Sequence, residues 1–432
     1  FGLPVFSYEL DEVADVRAQQ DELEGGTEAQ HQVGNDHIVA AAFNHGYTQL
    51  WSQDRLAQWA NRYDATTQHF AGGFGWALAD GVALSTFYPD RSPGVTFERA
   101  FGVGYYRKRV QSGDLDVVQT VYAPFGDDPL LLDDVVITNR GATTRTISWF
   151  EYWDVNPVDQ AANVVRGVAP PVWDASMMTL SAAQSGGRDG DTAPLDVFAA
   201  VLAGPVDGFE TSVATFFGGG SRAMPAAVLA DHLDGGLAPA SAAGTPSGTL
   251  FAFRAPLTLA PGASATLRYA YGMAHGDQVP ALVAKYRGAV DPLAASEAAW
   301  ASWVPKADFG AGREWVAREL QWDAYLLRSA SLYEELCGHH MITQGGYYQY
   351  LSGLNLGTRS WPHYLLPMVY TEPGLAREIM RYTIGVQPEV GGQLPYGTGP
   401  LGRLGRVFLS WGDLVMMRRQ LLNLRDLAEG RG

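Results

Sequence analysis

The segment Leu130–Val155 reads LLLDDVVITNRGATTRTISWFEYWDV. Val135–Thr138 is a β-branched run, Asn139-Arg140-Gly141 punctuates it, and Thr143–Trp153 resumes the alternation. β-Branched and aromatic side chains suit a pleated surface, and Asn and Gly suit tight turns. The segment therefore predicts two strands joined by a tight loop. The same grammar surrounds it. DLDVVQTVYAPFG (Asp114–Gly126) predicts a neighbouring strand, and TLFAFRAPLTLAPGASATLRYAYGMA (Thr249–Ala274) repeats the pattern with Pro261-Gly262 at the turn. Within Ala182–Gly248, FFGGGSRAMPAA and PASAAGTPSG predict loops between strands. Strands at this spacing, without intervening helical periods, predict a large antiparallel sandwich over residues 1–275.

Near Asp277 the grammar changes. DQVPALVAKYRGAVDPLAASEAAWASWV (Asp277–Val304) offers two helix starts. Asp277 is the expected cap of the first. Asp291, followed by proline at the first helical position, is the expected cap of the second. From Arg313 onward, Val316, Leu320, Leu327 and Ala330 fall on one helical face. Thr371 with Pro373 predicts a further helix to about Ile384, stopped by Gly385. The expected organisation is a sandwich (1–275), a helical connector (276–309) and an α region (310–432).

The totals exclude several function classes. The 432-residue chain has a net charge of −16 and only three lysines, Lys108, Lys285 and Lys306. A nucleic-acid binder needs clustered cations, and an anionic membrane surface repels an acidic protein, so neither is an expected partner. No apolar run reaches the ~18 residues of a spanning helix. Cys337 is the single cysteine, which rules out an internal disulfide. The chain opens on Phe1, so removal of an upstream segment is expected. A soluble protein is expected, in the cytoplasm rather than exported.

Three segments together resemble glycoside hydrolase family 94, the family of cellobiose phosphorylase and of the phosphorylase-like region of cyclic β-1,2-glucan synthase. FERAFGVGYYRKRVQSGDLDVVQTVYAPFGDDPLLLDDVVITNRGATTRTISWFEYWDV resembles its sandwich strands. LTLAPGASATLRYAYGMA resembles its closing strand, and GGYYQYLSGLNLGTRSWPHYLLPMVYTEPGLAREIMRYTIG its first barrel loop and helix. The resemblance implies an N-terminal β-supersandwich, a helical linker and an (α/α)6 barrel, here a partial one. It implies action on β-linked gluco-oligosaccharides, with inorganic phosphate as co-substrate in a phosphorylase and no other cofactor. It also implies a homodimer, or a missing barrel half as partner. The chain departs from the family pattern at Ser360, His363 and Tyr364, where an Arg-Asp…Gln-Asp arrangement is expected, while Arg359 matches. Ser410-Trp411-Gly412-Asp413-Leu414 keeps part of a later acidic run.

Glycoside cleavage needs a carboxylic acid at the leaving oxygen, plus a second carboxylate or a phosphate. The α region offers Glu314, Glu319, Asp323, Glu334, Glu335, Glu372, Glu378, Glu389 and Asp413, most of them in helical stretches where a solvated face explains them equally. No single catalytic residue stands out. For sugar binding, aromatic rings stack on pyranose faces and an arginine fork donates to paired hydroxyls. Tyr348, Gln349, Arg359, Trp361, His363 and Asp413 are the candidates, with packing of a helix entry as the alternative.

A second constellation, NHGYTQLWSQDRLAQWANRYD (Asn44–Asp64), concentrates Trp51, Gln53, Asp54, Arg55, Trp59, Asn61 and Arg62. It reads as a surface strand pair with an Asp54–Arg55 or Arg62–Asp64 network, or as a loop leaning over a barrel mouth. CGHH (Cys337–His340) lacks a second ligand pair, so no metal is expected. GGFGW (Gly72–Trp76) lacks the context of a phosphate loop. Two functions follow: a glycoside hydrolase or phosphorylase, or a non-catalytic carbohydrate-binding piece, including one half of a split enzyme.

Overall fold

In the computed structural model the described residues are 2–8, 29–55, 57–159, 164–185, 191–343 and 361–385. Two antiparallel sheets form the body. The larger has ten strands. It runs from Val5–Tyr8 through Thr96–Gly102, Tyr105–Ser112, Leu115–Tyr122, Leu130–Asn139, Ser264–Ala274 and Asp196–Ala203 to Thr179–Ser185, which pairs with both Gly167–Val168 and Val172–Asp174. The smaller has five strands, in the order Gly208–Ser212, Thr249–Leu259, Arg145–Val155, Gly72–Ala79 and Val82–Ser85.

Leu130–Asn139 and Arg145–Val155 are strands, as their composition predicts, but they do not pair with each other. The first pairs with Leu115–Tyr122 and Ser264–Ala274 in the large sheet. The second pairs with Thr249–Leu259 and Gly72–Ala79 in the small one. The Asn-Arg-Gly turn is thus an arch from sheet to sheet. Thr249–Ala274 makes a second arch, whose strands pair with those of the first. Asn139 ties the two together. Its Nδ2 donates to Thr143 O (2.8 Å) and Leu259 O (2.9 Å), its Oδ1 accepts from Gly141 N (3.0 Å), and its backbone N donates to Ala263 O (3.0 Å).

Successive side chains point to opposite faces of a strand. Leu131, Val135 and Ile137 enter the core between the sheets with Trp149, Trp153 and Tyr271, and Trp153 stacks on Tyr271 at 4.4 Å. Leu130 and Leu132 point outward, under the helix Val279–Arg287, and meet Val279, Val283 and Tyr286. Both faces are covered, which explains the nearly continuous apolar run. The outer face of the small sheet is covered by a six-stranded sheet that includes Val39–Phe43 and Thr48–Ser52, and by the short helices Val213–Phe217 and Ala226–Leu229.

The connector forms the helices Val279–Arg287 and Pro292–Trp303. Asp291 caps the second by accepting from Ala294 N. Asp277 does not cap the first, which begins after Gln278 and has no side-chain cap. In the helix Glu314–Ser329, Val316, Leu320 and Leu327 are only half-buried. The buried face carries Ala324, Tyr325, Arg328 and Ser329, because Tyr325 and Arg328 are held by polar partners on the sandwich. Helical spacing then breaks at a hairpin, Ser331–Glu334 with His339–Ile342, which turns through Gly338 at φ 66°. The helices Trp361–Thr371 and Pro373–Gly385 follow. Thr371 closes the first of these and Pro373 opens the second. Among the described residues no helix is long and apolar enough to cross a membrane.

Candidate functional site

Loops of the six-stranded sheet (His37, Asp54, Arg55), loops at one end of the large sheet (Asp127, Asp191, His275) and the hairpin at Tyr333–Glu335 gather histidines, carboxylates and an arginine. Asn35 sets the first loop. Its Nδ2 donates to Pro124 O (3.0 Å) and Asp128 O (2.9 Å), while its Oδ1 accepts from His37 N and Ile38 N. That turn aims the His37 ring between two carboxylates, with Nε2 2.7 Å from Asp54 Oδ2 and Nδ1 3.0 Å from Asp127 Oδ1. Burial alone would favour neutral imidazole. The hydrogen bonds and charges of Asp127 and Asp54 outweigh it and push the His37 pKa up to about 10. His37 is therefore an imidazolium donating from both nitrogens.

Arg55 lies next along the chain. Its Nε and Nη2 both donate to Asp191 Oδ1 (3.0 and 2.7 Å), and its Nη1 is 3.9 Å from Glu335 Oε2. Arg166 reaches the other Asp191 oxygen at 3.5 Å. Glu335 also accepts from His275 Nε2 at 2.8 Å, and Glu335 N donates to Asp54 O at 3.2 Å, which docks the hairpin on the sandwich loop. Asp196 lies near His275. Burial raises its pKa and the His275 charge opposes that rise. Tyr333 lies beside His37 (ring centroids 5.5 Å) and His340 (5.4 Å). Burial and the neighbouring Asp54, Asp127, Glu335 and Glu378 charges keep its phenol protonated. His340 Nδ1 lies 2.9 Å from Glu378 Oε1.

This arrangement suits a neutral polyhydroxyl ligand. It mixes donors (Arg55, His275), acceptors (Glu335, Asp127) and a ring (Tyr333). Side-chain exposure of 39% at Glu335 and 24% at His275 leaves them open to solvent, whereas Asp54 at 7% acts behind His37.

A second set of shifted carboxyls is structural. Consecutive Asp133 and Asp134 point to opposite faces of their strand. Asp134 forms a bidentate pair with Arg268 (2.6 and 3.1 Å). Asp133, with Glu151 and Lys108, lies inside the sandwich, all three at most 1% exposed. Burial raises both carboxyls above the usual range and lowers Lys108. Lys108 Nζ donates to Gly46 O (2.7 Å) and to Gly73 O, and Gln119 Nε2 donates to Asp133 (2.7 Å). Shifted carboxyl pairs usually mark catalysis, but no substrate reaches these three.

Of the sequence candidates, Tyr348, Gln349, Arg359 and Asp413 lie outside the described residues. Trp361 and His363 fall in the first turn of the helix Trp361–Thr371, with His363 exposed. Residues 44–64 are no surface strand pair. Thr48–Ser52 is wholly buried, and Trp51 and Trp59 meet edge to face at 4.8 Å in the core. Asp54 and Arg55 are drawn to different partners, His37 and Asp191, and Asp64 caps the turn Ala65–Thr67. Sequence reasoning missed His37, Asp127, Asp191, Asp196 and His275. Their one local signal is position: each flanks a strand end, where loops carry function.

Residues 80–289 match the family model of the glycosyl hydrolase 94 supersandwich domain. A candidate kojibiose phosphorylase from the human microbiome superposes on 81% of this chain with a TM-score of 0.52 at 8% identity. The superposed part is 45% of that protein, so the chain spans under half of its length. A candidate aldose 1-epimerase of Escherichia coli K12 is similar at TM-score 0.30 and 10% identity, over 57% of this chain and 99% of that one. The heparan sulfate lyase HepC of Pedobacter heparinus is similar at 0.27 and 10%, over 62% and 40%. A search of curated proteins finds no match. Residues 80–289 of the sandwich are therefore similar to the glycosyl hydrolase 94 supersandwich domain.

Proposed function

We propose that this chain, built on a glycosyl hydrolase 94-type supersandwich, acts on β-linked gluco-oligosaccharides by phosphorolysis or hydrolysis. The observation that carries the proposal is the family match over residues 80–289. The fold shared with a candidate kojibiose phosphorylase supports phosphorolysis, with inorganic phosphate as co-substrate. In this reading the loop end of the sandwich presents Arg55, His275, Glu335 and Tyr333 to the glycan. Arg359, Trp361, His363, Tyr348, Gln349 and Asp413 contribute further sugar contacts. One observation favours a non-catalytic binding role instead. Among the described carboxylates of the site, Asp54, Asp191, Glu335 and Glu378 are each tied to a cationic or imidazole partner, an arrangement suited to holding hydroxyls.

The test is incubation of the complete gene product with cellobiose and other β-linked glucobioses, and with α-linked kojibiose, with and without phosphate. Glucose 1-phosphate that forms only with phosphate, from the β-linked sugars, is the expected result. Free glucose without phosphate identifies a hydrolase. Calorimetric binding without turnover leaves the binding role, and neither binding nor turnover overturns the sugar-active reading. Arg359→Ala, Trp361→Ala and Arg55→Ala are each expected to weaken binding about tenfold or more, the loss of one charge-assisted hydrogen bond or stacking contact. Unchanged affinity in all three removes the site assignment.

A further inference from the structure

At one side of the sandwich the edges of the two sheets come together around an aromatic pair. Trp173 belongs to Val172–Asp174, which pairs with the last strand of the large sheet, and Phe209 belongs to Gly208–Ser212, the edge of the small sheet. The rings stack at 4.7 Å with 27° between their planes. Beside them is a cleft of about 350 Å³, lined by Trp173, Val206, Asp207, Phe209, Leu233 and Asp234 together with Gly208 and Gly235. That volume is at the small end of ligand sites.

The walls are fixed without a ligand. Gly235 N donates to Phe209 O (2.8 Å), and Asp207 N donates to Arg254 O (3.1 Å). Arg254 bridges Asp207 and Asp231, the latter at 2.9 Å, so both flanks are anchored to one guanidinium. Gly235 adopts φ +72°, which brings the turn over the Phe209 ring and leaves the cleft clear. The rim mixes acceptors and donors. Asp207, Asp231 and Asp234 accept, Arg254 donates, and His232 lies 3.4 Å from Asp234. Three carboxylates against one fixed cation disfavour a phosphorylated or sulfated ligand, while an apolar aromatic wall under a ring of acceptors matches a neutral sugar, with an apolar ring face and hydroxyl edges.

We propose that this cleft is a second carbohydrate-binding site, in which a neutral pyranose unit of a glycan packs against Trp173 and Phe209 and donates hydroxyl hydrogens to Asp207 and Asp234. The site shares no residue with the loop-end cluster. The proposal rests on the sugar-active reading above.

Hydrogen exchange and calorimetry on the intact chain with a neutral gluco-oligosaccharide separate the two. The expected result is sugar-dependent protection of residues 204–209 and 231–236, with affinity at this site about tenfold weaker in Trp173→Ala, the worth of a stacking contact. Asp234→Ala removes an exposed acceptor that bears no packing, and is expected to weaken the same site. Trp173→Tyr keeps a ring and is expected to restore most of the affinity, which a purely structural role for Trp173 does not predict. Sugar protection confined to the segments around Arg55, His275 and Glu335, unchanged in Asp234→Ala, overturns the second site and leaves the functional reading standing. Absence of any sugar binding overturns both.

Discussion

His37 shows how residue-scale environment sets chemistry here. Two carboxylates placed on either side of one imidazole hold it charged where an ordinary histidine is neutral. Its folded pKa of about 10 lies above the ordinary histidine value of 6.5. The folded state therefore binds more protons than the unfolded state between those values, and the stabilisation is full below about 6.5 and lost as pH rises toward about 10. Urea unfolding of the wild type and of His37→Gln across that window is expected to show a stability gap that shrinks with rising pH. A gap independent of pH would show that His37 acts by packing alone. Asp54 and Arg55 could be singled out in the sequence because they sit in a dense polar-aromatic run. The partners of Arg55 could not, since Asp191 and Glu335 lie 136 and 280 residues away in the chain and are brought in only by the tertiary fold.

At the scale of elements, the two arches and the strand Gly72–Ala79 fix the small sheet. Gly75 lies opposite Glu151, and a Cβ there would sit 2.3 Å from Phe150 O and 2.5 Å from the Trp149 ring. Backbone and an indole buried on all sides cannot retreat cheaply. Gly75→Ala is expected to destabilise the protein by about 2–3 kcal/mol, the upper part of the overpacking range, read as a lower urea midpoint. A midpoint equal to that of the wild type would show that the sheet has slack at this position. The GGFGW run that superficially evokes a phosphate loop is glycine-rich for this reason of close approach. The strands themselves were legible, because alternation and β-branching are local properties. Arch against hairpin was not legible, because an Asn-Arg-Gly turn serves either and the choice depends on which strands take up the remaining edges.

At the scale of the molecule, the chain divides into the units Phe1–Met380 and Arg381–Gly432, and in the first unit Arg328 connects sandwich, connector and helices. Its guanidinium forms a bidentate pair with Asp36 (both 2.7 Å), reaches Glu372 at 3.1 Å, and lies over the rings of Phe125 (4.6 Å) and Trp303 (4.7 Å). Tyr325, one turn earlier, donates to Gln32 O at 2.8 Å. Removing one partner of a buried ion pair strands the others. Arg328→Ala is expected to raise hydrogen exchange across Glu314–Ser329 and Trp361–Thr371 at least tenfold, with exchange in the sandwich core unchanged. Uniform loosening of both regions would instead make them one cooperative unit.

The sequence by itself determined that residues 1–275 are predominantly strands, that helices follow, that the surface is acidic, and that the sandwich resembles a sugar-active family. These are properties of local pattern and composition, which short stretches of chain carry on their own. Only the tertiary structure decided that the strands around Asn139 arch between sheets. It also decided that Asp133 is walled into the core while its neighbour Asp134 meets Arg268, and that His37, Arg55, Asp191, His275 and Glu335 converge. A carboxylate's role depends on which charges and how much water surround it, and in a sandwich those neighbours arrive from strands far apart in the chain.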